Sequence, residues 1–129
     1  MNPKKKILLV EDDVSFISLF HTLLVRAGFE VFEAHDGQEA ETVAVRVNPD
    51  MLIIDLGIPK KDGLAVCREI RKTEWGKKTA IIILTGKPLD DDILKTVMQV
   101  EPAYYCVKGD LSSDDFISKV RSVFEEQVG

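Results

Sequence analysis

Four short apolar runs in this chain end in polar residues of complementary chemistry. Ile7-Leu8-Leu9-Val10 runs into Glu11-Asp12-Asp13, and Met51-Leu52-Ile53-Ile54 runs into Asp55. Ala80-Ile81-Ile82-Ile83-Leu84 runs into Thr85, and Tyr104-Tyr105-Cys106-Val107 into Lys108. If the runs are parallel neighbouring strands, one sheet edge collects carboxylates, a hydroxyl and an ammonium. That set suits a divalent cation and a phosphoryl group. Glu11, Asp12 and Asp55 brought together repel one another, which raises at least one pKa unless a cation intervenes. Magnesium fits the gap, because it takes hard oxygen ligands, a carboxylate or two, a carbonyl, waters and a phosphate oxygen. Asp55 is then a candidate nucleophile that forms an acyl phosphate. Lys108 pairs with one phosphoryl oxygen and Thr85 donates its hydroxyl to another. On this reading Thr85 and Lys108 are both fully engaged only after phosphorylation.

Each residue also has a plainer reading. An acid between a strand and a helix is often an N-cap, which is the expectation for Asp13. A lone threonine at a strand end is commonly structural, a lone lysine is commonly solvated, and loop amides can satisfy a buried Asp55. The placement of all of them at corresponding strand ends favours the functional reading.

The elements that must position these groups alternate in period. After the first strand, Ile17, Phe20, Leu23, Leu24 and Ala27 mark a helix face closed by Gly28. Residues 29–34 are less uniformly apolar and read as an edge strand. Asp36 and Glu39 have helix-cap spacing ahead of the stripe Ala40, Val43, Ala44 and Val47, which Asn48-Pro49 ends. A loop from Leu56 to Gly63 leads into a helix carrying Leu64, Cys67 and Ile70, closed by Trp75-Gly76. Asp90-Asp91-Asp92 opens a fourth helix at the positive end of its dipole, a better account than a metal site. Ser112 and Asp115 resemble a capping box for a last helix bearing Phe116, Ile117, Val120, Val123, Phe124 and Val128. Five strand-then-helix units with uniformly apolar central strands predict a sheet covered on both faces. Right-handed crossovers make it a doubly wound parallel α/β sandwich, whose ligand site lies outside the carboxyl ends of the strands.

Bulk properties narrow the options further. A chain of 129 residues, 45% hydrophobic and 30% charged, is long enough for one domain with a real core. Its net charge of -5 argues against nucleic-acid binding by the domain itself. Lys4-Lys5-Lys6 reads as a solvated lead-in to the first strand. No apolar run approaches a membrane span and no signal peptide is visible. The two cysteines, Cys67 and Cys106, lie in apolar patterns, so a reducing cytoplasmic location is expected. His21 and His35 lack ligand spacing and read as surface or structural residues.

The motifs Ile7 to Asp13, Ile54-Asp55-Leu56-Gly57-Ile58-Pro59 with Asp62-Gly63, Leu84-Thr85-Gly86 and Tyr105-Cys106-Val107-Lys108 together resemble the receiver domain of a two-component response regulator of the single-domain, chemotaxis-regulator type. The resemblance covers the chain from Lys6 to about Phe124, and implies one receiver domain over 1–129 with no output domain within it. It implies a flavodoxin-like five-stranded sheet in the order 2-1-3-4-5. It implies that Asp55 accepts a phosphoryl group from a histidine kinase or histidine phosphotransfer protein. Glu11 and Asp12 would form the acidic pocket, with Asp12, Asp55 and the Gly57 carbonyl on Mg2+. Thr85 and the Tyr105 ring would move with phosphorylation and alter the surface of helix 4, strand 5 and helix 5. That surface would meet an output domain or target protein, or form a homodimer. Such a domain is no enzyme beyond the turnover of its own phosphoryl group.

The resemblance has one departure. Members usually carry proline after the lysine, commonly through a cis bond, whereas Gly109 follows Lys108 here. A non-proline cis bond costs roughly 3 kcal/mol, so a trans bond and a reshaped, more mobile loop are expected. The aim of Lys108 is the point this change touches. At positions that tune self-dephosphorylation, Gly57 would admit water while Lys87 would hold the phosphoryl group. Two other readings stand beside the switch: a receiver-like interaction module that is never phosphorylated, and a magnesium-dependent phosphohydrolase. The hydrolase would need a second acid shortly after Asp55, where Gly57 stands.

Overall fold

Three strands are runs of β-branched and leucine residues that pack on both sheet faces at once, as the centre of a covered parallel sheet requires. The computed structural model describes residues 3–128, with side chains through 126. The strands are β1 (Lys6–Val10), β2 (Glu30–Ala34), β3 (Met51–Ile54), β4 (Ala80–Thr85) and β5 (Tyr104–Val107). They form one parallel sheet in the order β2-β1-β3-β4-β5. The helices are α1 (Val14–Arg26), α2 (Gly37–Val47), α3 (Gly63–Arg71), α4 (Asp91–Val100) and α5 (Ser113–Val128). This is the doubly wound sandwich the sequence predicts, with β2 at an edge.

Alternation along each strand divides the core into two layers. Leu8, Val10, Leu52, Ile54, Ile81 and Ile83 point to the side covered by α2, α3 and α4. Ile7, Leu9, Met51, Ile53, Ile82 and Leu84 point to the side covered by α1 and α5. The expected helix stripes lie within these layers, except that half-buried Leu23 belongs to neither and Val128's side chain is outside the described residues. Both cysteines are buried and free. No described helix is long and apolar enough to cross a membrane.

Aspartate caps set where four of the helices begin, and at α3 it is Asp62, which accepts from the Leu64 amide. Asp13 accepts from the Phe16 amide, Asp36 from Glu39 and Asp90 from Ile93. The Ser112 hydroxyl accepts from the Asp115 amide at 3.1 Å, half of the anticipated capping box. The segment closed by Trp75-Gly76 contains a 3-10 turn (Trp75–Lys77). At the opposite edge from the strand C-termini, Arg71 donates to the carbonyls of Val100, Gly76, Thr79 and Glu101. It thereby ties the end of α3 to the ends of α4 and of the 3-10 segment. The sequence gives no local sign of this clasp.

Candidate phosphoryl and metal site

Register brings the polar strand ends together. Val10, Ile54 and Ile83 are aligned across β1, β3 and β4, so the residues after them emerge side by side. Each ladder extends one residue past its strand: the Glu11 amide donates to Ala34 and the Asp55 amide to Val10. The Lys108 amide donates to the Thr85 carbonyl at 2.7 Å, fixing the lysine's backbone beside β4. Glu11, Asp12 and Asp55 each present a carboxylate oxygen, and these oxygens lie within 4.8 Å of one another.

Glu11 and Asp55 are buried, Thr85 is fully so, and Asp12 is exposed. Glu11 accepts from the Asp13 amide through Oε1 at 3.1 Å. Asp55 accepts from the Gly57 amide through Oδ1 at 3.0 Å. Their other oxygens share one cation: Lys108 Nζ lies 2.6 Å from Glu11 Oε2 and 3.0 Å from Asp55 Oδ2. The sequence reading left Lys108 waiting for the phosphoryl group. In the structure the ammonium is already paired with both buried acids and offsets part of their repulsion.

The departure after Lys108 does not misdirect it. There is no cis peptide bond among the described residues, and Gly109 takes φ +92°. A left-handed residue turns the chain sharply at that point, closed by the Asp110 amide on the Val107 carbonyl.

These contacts divide the two acids electrostatically. Burial works against charge on Asp55, yet the Gly57 amide, the Lys108 ammonium and the Thr85 hydroxyl outweigh it and hold the carboxyl below the usual aspartate range. At Glu11 burial dominates and pushes the carboxyl up, with Asp55 adding to the effect and Lys108 only partly offsetting it. Burial would lower the Lys108 pKa, but its bonds to Glu11 and Asp55 raise it. Asp55 is therefore an ionised carboxylate, the form a nucleophile needs.

The residues present fit magnesium: three hard oxygen donors converge, and the exposed Asp12 carboxylate has no hydrogen-bond partner among the described residues. Gly57 is exposed beside Asp55, and the loop it begins lines a cleft of about 460 Å³ with Lys60, Lys61 and Lys87. The Tyr105 hydroxyl donates to the Lys87 carbonyl at 2.8 Å, tying β5 to the loop that follows Thr85. The Thr85 hydroxyl accepts from the Lys87 amide at 3.4 Å.

Other candidates lie elsewhere. His21 and His35 flank Glu33, 2.6 and 3.6 Å from its carboxylate oxygens, at the end of edge strand β2 and outside the Glu11–Asp12–Asp55 cluster. Asp13 and Asp90 serve as caps, and Asp91 and Asp92 lie in the first turn of α4. Sequence reasoning missed one neighbour of the site, Phe16, whose ring centroid lies 4.3 Å from Lys108 Nζ. Its spacing of four from Phe20 was the available signal.

Comparison with known proteins agrees with this arrangement. Residues 7–121 match the family model described as response regulator receiver domain. The chain is 34% identical over 115 residues to the alkaline phosphatase synthesis transcriptional regulatory protein PhoP of Bacillus subtilis, covering 89% of this chain and 42% of that protein. The chain spans under half the length of the curated relatives it matches. Among solved structures, a chemotaxis-regulator-like receiver domain protein from Methanospirillum hungatei superposes with a TM-score of 0.89 at 20% identity, over 97% of both chains. The receiver domain of a sensor histidine kinase from Pseudomonas aeruginosa, solved with a magnesium ion coordinated in its active-site cleft, gives a TM-score of 0.78 at 27% identity. That match covers 96% of this chain and 97% of the other.

Proposed function

Because the chain belongs to the response regulator receiver domain family, the phosphoacceptor signalling domains of two-component systems, we propose that it is a switch thrown by phosphorylation of Asp55. The phosphodonor is a histidine kinase or a histidine phosphotransfer protein, and 1–129 act as one receiver domain with its core at about 6–124. The single observation that carries this reading is the state of Asp55: a buried, ionised carboxylate held by the Gly57 amide and the Lys108 ammonium at the carboxyl edge of a parallel sheet.

An Asp55 oxygen forms a bond to phosphorus while the phosphorus–nitrogen bond of the donor's phosphohistidine breaks. The electron pair leaves with the imidazole nitrogen, which takes a proton from water. Asp55 thereby exchanges one carboxylate charge for a phosphoryl group carrying more, and Lys108, already within 3.0 Å, turns to a phosphoryl oxygen. Thr85 donates its hydroxyl to another. Glu11, Asp12, Asp55 and the Gly57 carbonyl would hold Mg2+, which supplies charge neutralisation for the phosphoryl oxygens when bound. Tyr105, bonded to the Lys87 carbonyl, passes movement of the loop after Thr85 to the α4–β5–α5 surface. An output domain, a target protein or a second copy would read that surface. Catalysis is confined to making and losing the acyl phosphate.

The test is intact mass after incubation with magnesium and acetyl phosphate, with Asp55→Asn as control. A single phosphoryl adduct that requires Asp55 is expected. Absence of an adduct with acetyl phosphate and with a phosphorylated histidine donor would overturn the proposal.

A further inference from the structure

We propose that Phe16 is a positioning residue for Lys108: its ring face and two carboxylates form a three-sided seat that holds the ammonium where the phosphoryl group arrives. The inference rests on the function proposed above for Asp55 and Lys108.

The seat is built from separate elements. Glu11 follows β1, Asp55 follows β3, and Phe16 lies in the first turn of α1. Lys108 Nζ sits 2.6 Å from Glu11 Oε2, 3.0 Å from Asp55 Oδ2 and 4.3 Å from the Phe16 ring centroid. An ammonium attracts the negative face of a phenyl ring within about 6 Å, and more strongly where water is excluded. Lys108's side chain is only 24% exposed, so the contact is partly desolvated.

The ring is itself fixed. Asp13 holds the Phe16 amide at 3.0 Å, so the helix starts at a set angle. Phe16 stacks on Phe20 with centroids 4.4 Å apart, and Phe20 meets Phe116 of α5 edge-on at 5.3 Å. A rigid aromatic row therefore runs from the α1–α5 interface to the ammonium.

Lys108 needs such a support because its chain neighbour offers none. Gly109 has no side chain and turns away at φ +92°, so the hydrogen-bonded turn after β5 fixes the lysine's backbone but sets no neighbouring side chain against its stem. A flexible four-carbon stem otherwise carries the charge. One of the two carboxylate anchors also changes during the reaction, since Asp55 becomes an acyl phosphate. The ring face does not change. It keeps one wall of the seat constant while Lys108 passes from Asp55 to the phosphoryl oxygen.

A plain packing role predicts that any apolar side chain of similar size serves as well. Phe16→Leu keeps the apolarity and removes the ring; Phe16→Tyr keeps both. With lysine side chains labelled at the ε-carbon, the Lys108 ε-methylene protons of the wild type, assigned with Lys108→Arg, are expected upfield of the other lysines. Leu should abolish that ring-current shift and Tyr should preserve it. Phosphorylation of Asp55 by acetyl phosphate with magnesium should slow between about three- and thirtyfold in Phe16→Leu and recover in Phe16→Tyr. An unshifted Lys108 in the wild type, or a Leu variant phosphorylated at the wild-type rate, overturns the role for Phe16 alone. A wild-type chain that takes no phosphoryl group overturns the reading of Asp55, and the role built on it, whatever the resonances show.

Discussion

Lys108 Nζ lies 2.6 Å from Glu11 Oε2 although 97 residues separate the two in the chain. Register alone explains the meeting: Glu11 leaves β1 and Lys108 leaves β5 at the same sheet edge, with β3 and β4 between them. The pair sets both the charge and the stability of the site.

Lys108→Met is expected to destabilise the protein in a pH-dependent way. The Lys108 pKa is raised, so its stabilising contribution is complete below the ordinary lysine value of 10.5 and is lost as pH rises through the folded value. The methionine variant lacks the cation at every pH, leaving Glu11 and Asp55 to repel. At pH 8 the cost should be about 2–4 kcal/mol, somewhat under that of breaking a fully buried pair because Lys108 keeps some water. It should shrink toward pH 4 as Glu11, whose carboxyl is raised above 4.5, takes up a proton. Urea unfolding at the two pH values measures the difference; equal losses would show that the ammonium does not offset the acids.

The two buried carboxyls should titrate in opposite directions from their ordinary values. Glu11 is expected above 4.5 and Asp55 below 3.8, readable from their side-chain carboxyl carbons by NMR. For Asp55 the sign means that its stabilising contribution is present above 3.8 and lost as pH falls through the lower folded value. Lys108→Met should move both upward, since each loses its cation. Magnesium should move both downward and bind more weakly as Glu11 is protonated, because metal and proton compete for the same oxygens.

Arg71→Lys is expected to lower stability by about 2–3 kcal/mol, because a point-charge ammonium cannot replace a planar fork. Arg71 Nε reaches the Val100 carbonyl at 2.8 Å and Nη2 the Glu101 carbonyl at 3.1 Å, while Nη1 serves Gly76 and Thr79. Lysine leaves most of these carbonyls without a donor. Chemical denaturation gives the loss directly, and a change under about 0.5 kcal/mol would mean that water already satisfies them.

Glu11, Asp55, Thr85 and Lys108 were legible in the sequence because each follows or ends an unbroken apolar strand, and a parallel sheet gathers such ends. Asp13, Asp36 and Asp90 were legible because capping is local, spanning three residues. The pairing of Lys108 with Glu11 and Asp55 was not legible for a physical reason: sequence shows which charges share an edge but not which cation reaches them first. The acids call for a cation that magnesium suits, and the ammonium already relieves them in part. The Phe16 face and the Arg71 clasp depend on distances between elements far apart in the chain. No local pattern encodes them.

Gly37→Ala tests how the loop beside Asp55 is held. A Cβ at Gly37 would overlap the Lys61 carbonyl oxygen and side chain. The Gly37 amide also donates to the Pro59 carbonyl at 3.1 Å, so the first residue of α2 presses directly on the loop between β3 and α3. Lys60 reaches Asp36 and Lys61 pairs with Glu41, adding two charged ties between loop and helix. That loop begins with Gly57, whose amide holds Asp55 Oδ1. The extra methyl has to push the loop away, at a cost of about 1–3 kcal/mol for forced overpacking. The displacement should reach the site: the Gly57 amide resonance shifts, the Asp55 carboxyl titrates closer to 3.8, and the affinity for magnesium falls. Amide spectra, carbon titration and a magnesium titration report these separately. Loss of stability with an unchanged Gly57 resonance would show that the contact supports the fold without positioning the site.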